Sequence, residues 1–403
     1  MLTVDPHPGG VTMISFDEAL RRVLTIARRL PAEPVALEAC CGRVLAEDAQ
    51  SDMDLPPFRK SAMDGYACRR TDLPGPLRVL ESIAAGRMPA HAIETTTCSK
   101  IMTGAPLPNG ADCVIMLEDT ATGDDGRIRF TGRQTADNFC DQGEDAQAGD
   151  VVMRSGDMLG PAEVGVLATV GCVAPRVSRQ PRVAIIATGS ELCAAAERPS
   201  GAGIRDSNSH QLAAQICRIG AQVTRIGVVH DDETLITDSI NRLRSSHDVL
   251  VLSGGVSTGD FDFVPGVLRR LGFELAFDSV AMQPGRPTIF GDDGSSYVCG
   301  LPGNPVSTFV VCELLLRPFL LALQGHVFKP RWVAARLATP IRRKRSARQL
   351  AVPVRFVTPE TVEPVEYHGS AHIHAYTKAD GFLLSPIGVS EILQGAAVHV
   401  RLF

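Results

Sequence analysis

At 403 residues the chain is longer than one ordinary hydrophobic core organises, which predicts about two to four domains. Hydrophobic residues at 44% and charged residues at 21% describe a soluble globular protein, and a formal net charge of -5 gives no general attraction to polyanions, so nucleic acid is not expected as a partner. The one basic run, Arg342, Arg343, Lys344, Arg345 and Arg348, has no interleaved aromatics and reads as a solvated loop.

Met1 to Phe16 has neither a basic start nor a long apolar stretch, so no secretory signal is expected. Ser15 with Glu18 makes a capping box, and Leu20, Val23, Leu24 and Ala27 recur at helical spacing, so a first amphipathic helix is predicted to about Leu30. Pro31 and Pro34 end it. From Ser51 to Glu144 short apolar pieces are broken by Pro, Gly and Asp, the texture of a β domain. A second helical patch opens at Gly160-Pro161, with Pro at the first helical position, and runs through Val164, Leu167 and Val170. Helices on either side of a β insertion predict one discontinuous helical domain, residues 1–50 and 145–181, around a β domain at 51–144. Eleven cysteines, odd in number and with Cys40 beside Cys41, suit reduced thiols, and no Cys-x-x-Cys pair points to zinc.

Residues 182–326 carry continuous apolar runs at Val183–Ile186, Val223–Val229 and Val249–Leu252, as expected of strands buried on both faces of a parallel sheet. Helix patterns lie between them, at Leu212, Ile216 and Ile219 after Asn208-Ser209, and at Leu235, Ile236, Ile240 and Leu243 after Asp231-Asp232. This alternation predicts a doubly wound α/β domain. The apolar stretch Val306–Leu323 is interrupted by Glu313, Arg317 and Pro318, and reads as a buried helix with a kink or stop, so no membrane span is needed. Residues 327–403 alternate at Ala351–Val357 and Ala397–Leu402, with turns at Gly369, Gly381 and Gly388, which predicts a small terminal β domain.

Ligands of open parallel sheets sit at the carboxyl ends of the strands, so the loops there are the candidate site. Ser253-Gly254-Gly255-Val256-Ser257-Thr258-Gly259-Asp260-Phe261-Asp262 leads from a strand into a helix, and glycines there let backbone amides turn towards a phosphate. Two carboxylates beside a phosphate repel it unless a cation bridges them, and Mg2+ takes one or two carboxylates together with substrate oxygens. A tight turn capped by the aspartates would use the same residues. Thr188-Gly189-Ser190-Glu191 and Arg205-Asp206-Ser207-Asn208 bring hydroxyls and carboxylates to the same edge, although Asp206 and Ser207 also suit a helix cap. Pro302-Gly303-Asn304-Pro305 is a rigid loop before the apolar helix, and Gln283-Pro284-Gly285-Arg286-Pro287 is a similar loop with one cation. Ser61–Ala67 and Thr103–Pro108 are compact polar loops in the β domain. His368, His372 and His374 fit no standard zinc spacing.

Together with Pro56-Pro57-Phe58, these motifs run through most of the chain in an order that resembles the molybdopterin molybdenumtransferase family, which includes the carboxy-terminal part of gephyrin. The resemblance implies a four-domain subunit in a cytoplasmic homodimer, with a molybdopterin-binding α/β domain and a carboxy-terminal β-barrel-like domain, and a cleft between the α/β domain of one subunit and the β domain of the other. It implies insertion of molybdate into adenylylated molybdopterin with Mg2+ and release of AMP, the final step of molybdenum cofactor biosynthesis, downstream of a molybdopterin adenylyltransferase. Glu191, Asp206 and Asp262 resemble the acidic, metal-holding groups of that site, with Asp260 a further candidate. Asp64 and Thr103 resemble functional positions of the opposing domain, and Ser370 and Arg355 resemble residues of the last domain that face the cleft.

Two departures stand out. Arg59-Lys60 occupies the place of the family's usual Asp-Asn, and Gln283 stands where a lysine usually precedes Pro-Gly. Loss of a cation beside an oxyanion removes a contact worth roughly 1.5 to 3 kcal/mol, for which Arg286 can compensate in part. The alternatives are a pterin-binding scaffold without turnover and the related adenylyltransferase.

Overall fold

The computed structural model describes residues 13–256 and 263–403. The chain forms two compact units, residues 35–41 with 47–175, and residues 1–34, 42–46 and 176–403.

The first of these is built on a four-stranded sheet in the order Arg78–Ile83, Thr97–Ile101, Gly65–Cys68, Cys113–Met116. Successive side chains of a strand point to opposite faces. Tyr66, Cys68, Cys98, Cys113 and Ile115 accordingly fill one apolar cluster while Ala67, Ile83, Ile101 and Val114 fill another, so the sheet is covered on both sides. In the same unit the helix Pro161–Thr169 starts as predicted at its proline, with Glu163 reaching back to the Gly160 N–H at 3.0 Å.

The sequence segments before and after the β insertion do pair. Ala49–Gln50 joins Val151–Met153, and Ala32–Pro34 joins Arg176–Ser178, both antiparallel. The first helix, Phe16–Ile26, goes elsewhere: Phe16, Ala19 and Val23 are buried in one cluster with Val183, Ile185 and Phe319 of the α/β core. Its amphipathic stripe said that it had a partner but not which one.

The larger unit carries a six-stranded sheet in the order Gln222–Val229, Arg182–Thr188, Val249–Ser253, Tyr297–Leu301, Ile289–Asp292, Glu274–Phe277. The first four strands are parallel and the last two add an antiparallel edge. Val183 and Ile185 pack with Leu212 and Ile216 on one face, while Ala184 and Ile186 pack with Ile236, Ile240 and Leu268 on the other. Helices therefore cover both faces, as the continuous apolar strands require. The strand order reverses between Arg182–Thr188 and Val249–Ser253, which is where a doubly wound sheet opens a crevice.

The helical run Pro305–Leu323 has a mean hydropathy of 1.9 and is the one stretch, among the described residues, long and apolar enough to cross a membrane; 83% of it is buried in this unit. The expected irregularity is a π-helical turn at Cys312–Leu316. Pro318 has no N–H to give, and the Arg317 N–H reaches back to Cys312 O, so Glu313 O loses its usual helical donors. The buried Arg401 guanidinium, from the last strand of the chain, supplies a hydrogen bond to that carbonyl at 2.8 Å. Burial pulls Arg401 down to about 10.

The terminal β domain is a closed barrel. Gln349–Thr358, Thr361–Pro364, Trp332–Leu337, Ala397–Leu402 and Gly381–Ser385 follow one another, and the last pairs back to the first. Leu337, Val352, Val354, Val362 and Val400 fill its interior. Closure leaves the ring no free edge.

Candidate functional site

A cleft of about 590 Å3 opens at the carboxyl edge of the α/β sheet, at the reversal of strand order. Of the expected ligand-binding residues, the structure brings together Thr188, Gly189, Glu191, Asp206, Ser207, Asn208, Ser253, Gly254, Gly255, Pro302, Gly303, Asn304 and Pro305. Three loops distant in sequence meet because Thr188, Ser253 and Leu301 end adjacent parallel strands, and the fourth, at Asp206–Asn208, joins them through Asn208.

Asn208 ties these loops. Its Nδ2 donates to Gly303 O at 2.7 Å and to Ser253 Oγ at 2.9 Å. Gly254 and Gly255 take φ of +102° and +63°, conformations open to glycine. A Cβ on Gly254 would lie 2.2 Å from Thr188 O, so the loop is pressed against the neighbouring strand.

Asp206 is buried, and its carboxylate accepts both the Ser209 N–H, at 3.0 Å, and the Ser209 hydroxyl. That is a helix-cap use, which competes with metal binding. Glu191 is exposed on the rim, with its carboxylate over Gly189. Ser257, Asp260 and Asp262, expected on the phosphate loop, lie outside the described residues. Among the described residues no three His, Cys, Asp or Glu side chains converge as a metal site would need.

Asp231 also lines the cleft and was missed as a site residue. Of the two adjacent aspartates, Asp232 caps the following helix, accepting from Thr234 and Leu235 N–H at 2.9 Å each. Asp231 instead accepts the Ser190 N–H at 3.0 Å, and Ser190 Oγ accepts the Asp231 N–H at 3.2 Å. The signal was available: Asp231 follows a parallel strand, as do the other loops.

Ser370 does not itself line the cleft; its carbonyl accepts the Val306 N–H at 3.0 Å, and its neighbour Ala371 lines the wall. Arg355 does not join that wall. It stands on a barrel strand, paired with Glu363 at 2.6 Å. Arg286 is exposed, next to the cleft-lining Pro287. Burial, together with the nearby guanidiniums of Arg286 and Arg345, holds Arg348 below the usual arginine range, so three cations gather beside the loop that carries Gln283. The basic run is therefore more than a solvated loop. Its Arg343 is fixed by carbonyls of Val389, Arg348 and Pro386.

In the other unit Asp64 and Thr103 are brought together. Asp64 Oδ1 accepts the Thr103 N–H at 2.6 Å and its hydroxyl at 2.8 Å, and these bonds hold the carboxyl below the usual carboxylate range.

A second cleft, about 620 Å3, opens at the amino ends of the strands, lined by Arg182, Arg244, His247, Asp248 and Asp293. Its charges are matched internally, Asp248 by Arg179 and Arg182 and Asp293 by Arg244. The slightly larger volume does not outweigh its position at the wrong edge of the sheet.

Comparison with known proteins agrees with this geometry. The family described as MoeA N-terminal region (domain I and II) matches residues 14–171, and that described as probable molybdopterin binding domain matches residues 184–322. The molybdopterin molybdenumtransferase of Staphylococcus epidermidis is 32% identical, covering 97% of this chain and 96% of its own. That of Staphylococcus aureus is 32% identical over 96% and 95%. Among solved structures, a molybdopterin biosynthesis MoeA protein of Pyrococcus horikoshii superimposes with a TM-score of 0.79 at 31% identity, covering 97% of this chain and 99% of that one.

Proposed function

The chain belongs to the molybdopterin molybdenumtransferase family, and on that premise we propose that it inserts molybdate into an adenylylated molybdopterin and releases AMP in a Mg2+-dependent step, the last in making the cofactor. The observation that supports this reading is the convergence of strand-following loops, glycine-rich on one side and hydroxyl- and carboxylate-bearing on the other, around one cleft.

Each group has a task in that reaction. Gly254 and Gly255 allow a phosphate to approach the backbone, and the amino end of the helix Asn208–Arg218 favours its negative charge. Asn208 keeps the Ser253 and Gly303 loops in register, so that the guest meets a preorganised wall. Arg286, Arg345 and Arg348 supply positive charge for the tetrahedral oxyanion, making good the cation missing at Gln283. Asp64 is kept ionised by Thr103.

Glu191, Asp206 and Asp231 are the described carboxylates on the cleft, Asp206 already engaged by Ser209, with Asp260 and Asp262 as further candidates. Mg2+ needs only one or two carboxylates when substrate oxygens complete its shell, so this donor set fits a cation that arrives with the phosphates better than a resident cage. When bound, the ion would neutralise phosphate charge.

The free state of all eleven cysteines supports a reducing, cytoplasmic setting. A homodimer is supported by the helix Pro161–Thr169, whose only buried residue is Leu167 and which leaves the apolar Val166 exposed, near an exposed Val173. Adenylylation of the pterin is the reaction that must come before.

The test is AMP release by the full chain, given adenylylated molybdopterin, molybdate and Mg2+. Release that depends on both ions is expected. No release at any molybdate concentration would overturn the reading; pterin binding without turnover would indicate a scaffold, and ATP consumption with unmodified molybdopterin an adenylyltransferase.

A further inference from the structure

We infer that Asn208 and Thr188 set the specificity of this cleft: Asn208 Oδ1 accepts a hydrogen bond from a neutral N–H or O–H of the bound pterin nucleotide, and Thr188 Oγ1 donates one to an oxygen of the same molecule. The inference rests on the function proposed above and adds which atoms read the guest.

The orientation of Asn208 is fixed by its neighbours. Gly303 O can only accept, so the atom 2.7 Å from it must be the amide nitrogen. The second amide hydrogen goes to Ser253 Oγ at 2.9 Å. Both donors are thereby used, and Oδ1 is buried with no partner among the described residues. Thr188 is 3% exposed, and its Oγ1 is likewise buried without a partner among the described residues. Both residues line the cleft. The glycines opposite matter here: a Cβ on Gly254 or Gly255 would sit 2.9 or 3.1 Å from Thr188 Oγ1, the place a ligand atom would take.

A buried polar atom without a partner is costly, and two such atoms lining one cleft are the groups that a complementary ligand would satisfy. Amide Oδ1 is an acceptor only, so its complement must donate. Phosphoanhydride and molybdate oxygens carry no proton at neutral pH and only accept, which excludes them as the group Asn208 reads. The guest must therefore offer a neutral donor beside its anionic part. Ribose hydroxyls of the nucleotide and ring N–H groups of the pterin both meet that description. A threonine hydroxyl can donate, and suits an anionic oxygen.

Calorimetric titration of the full-length protein with AMP, a pterin monophosphate and sulfate, an anion without a proton to donate, separates these sources. Asn208→Ala also frees the Ser253 and Gly303 loops, which weakens every probe alike; beyond that common loss, the probe that supplies the donor is expected to weaken at least tenfold more than sulfate, one lost hydrogen bond at roughly 1.4 kcal/mol per decade. If AMP alone is weakened beyond the common loss, the donor is the ribose; if the pterin monophosphate alone, it is the pterin. Thr188→Val keeps the branched shape and removes an orphaned hydroxyl, so its melting temperature should equal or exceed the parent's while every probe that places an oxygen there binds at least tenfold more weakly. Thr188→Ser should restore binding. The inference is overturned if the parent binds these probes and Thr188→Val binds them equally well, or if Asn208→Ala weakens all three alike. A parent that binds neither AMP nor the pterin monophosphate overturns the proposed function as well.

Discussion

Replacing Gly254 with alanine puts a methyl group where the neighbouring strand already runs. The new Cβ would lie 2.2 Å from Thr188 O and 2.9 Å from Thr188 Oγ1, and the residue sits at φ +102°. Carbon and carbonyl oxygen ordinarily approach no closer than about 3.3 Å, so the loop and the strand end must part by roughly 1 Å. Backbone strain of about 1–3 kcal/mol and overpacking of about 1–3 kcal/mol together give a loss of roughly 2–6 kcal/mol, a large share of the 5–15 kcal/mol typical of a domain. A displacement of that size beside a reacting phosphate also costs on the order of 100-fold in rate. Gly303→Ala is the control, since its Cβ would find only Gly254 Cα at 3.7 Å, an ordinary contact. Thermal unfolding and AMP release should separate the two variants: Gly254→Ala melts earlier and loses turnover, while Gly303→Ala melts with the parent. A Gly254→Ala protein with parental melting and turnover would refute the reasoning from close approach.

Two further predictions concern charge. Arg348→Ala should raise the molybdate concentration for half-maximal AMP release about tenfold or more, with melting unchanged, because one charge-assisted contact is worth roughly 1.5–3 kcal/mol; an unchanged half-saturation in a molybdate titration would remove Arg348 from the oxyanion site. Burial raises the Asp248 carboxyl, but hydrogen bonds from Arg179 and Arg182 outweigh it and hold the group below the usual range. A depressed folded-state value means that this contribution is present above the ordinary aspartate value, about 3.9, and is lost as pH falls through the folded value. Asp248→Asn should therefore cost about 2–3 kcal/mol in urea unfolding at pH 7, and the gap to the parent should close towards pH 3; a constant gap would show that the cost is packing.

Much of the site could be read one loop at a time. Gly254-Gly255 after an apolar run, and Asp206-Ser207-Asn208 before a helix, are local signals, because a strand's burial and a helix's cap leave their mark within a few residues. What each polar side chain does there is not local. Asp206 turns to Ser209 and Asp231 to Ser190, and two carboxylates of the same chemistry thereby take a buried capping position and a place on the cleft. Arg355 and Arg348 sit on the same stretch of chain, yet pairing with Glu363 occupies one while the other comes close to Arg286.

By itself the sequence determined the kinds of element: strands continuous enough in apolar residues to need cover on both faces, helices with one buried stripe, a proline that disturbs a long apolar helix, and alternating strands at the end of the chain. These follow from periodicity and backbone chemistry, which act over short distances. Only the tertiary structure decided that the helix Phe16–Ile26 packs in the α/β core, that five strands of the terminal domain close on themselves, and that Thr188, Asn208, Ser253 and Gly303 share one wall. Those are contacts between residues far apart in the chain, set by strand order and by which surfaces exclude water together, and no window of sequence contains both partners.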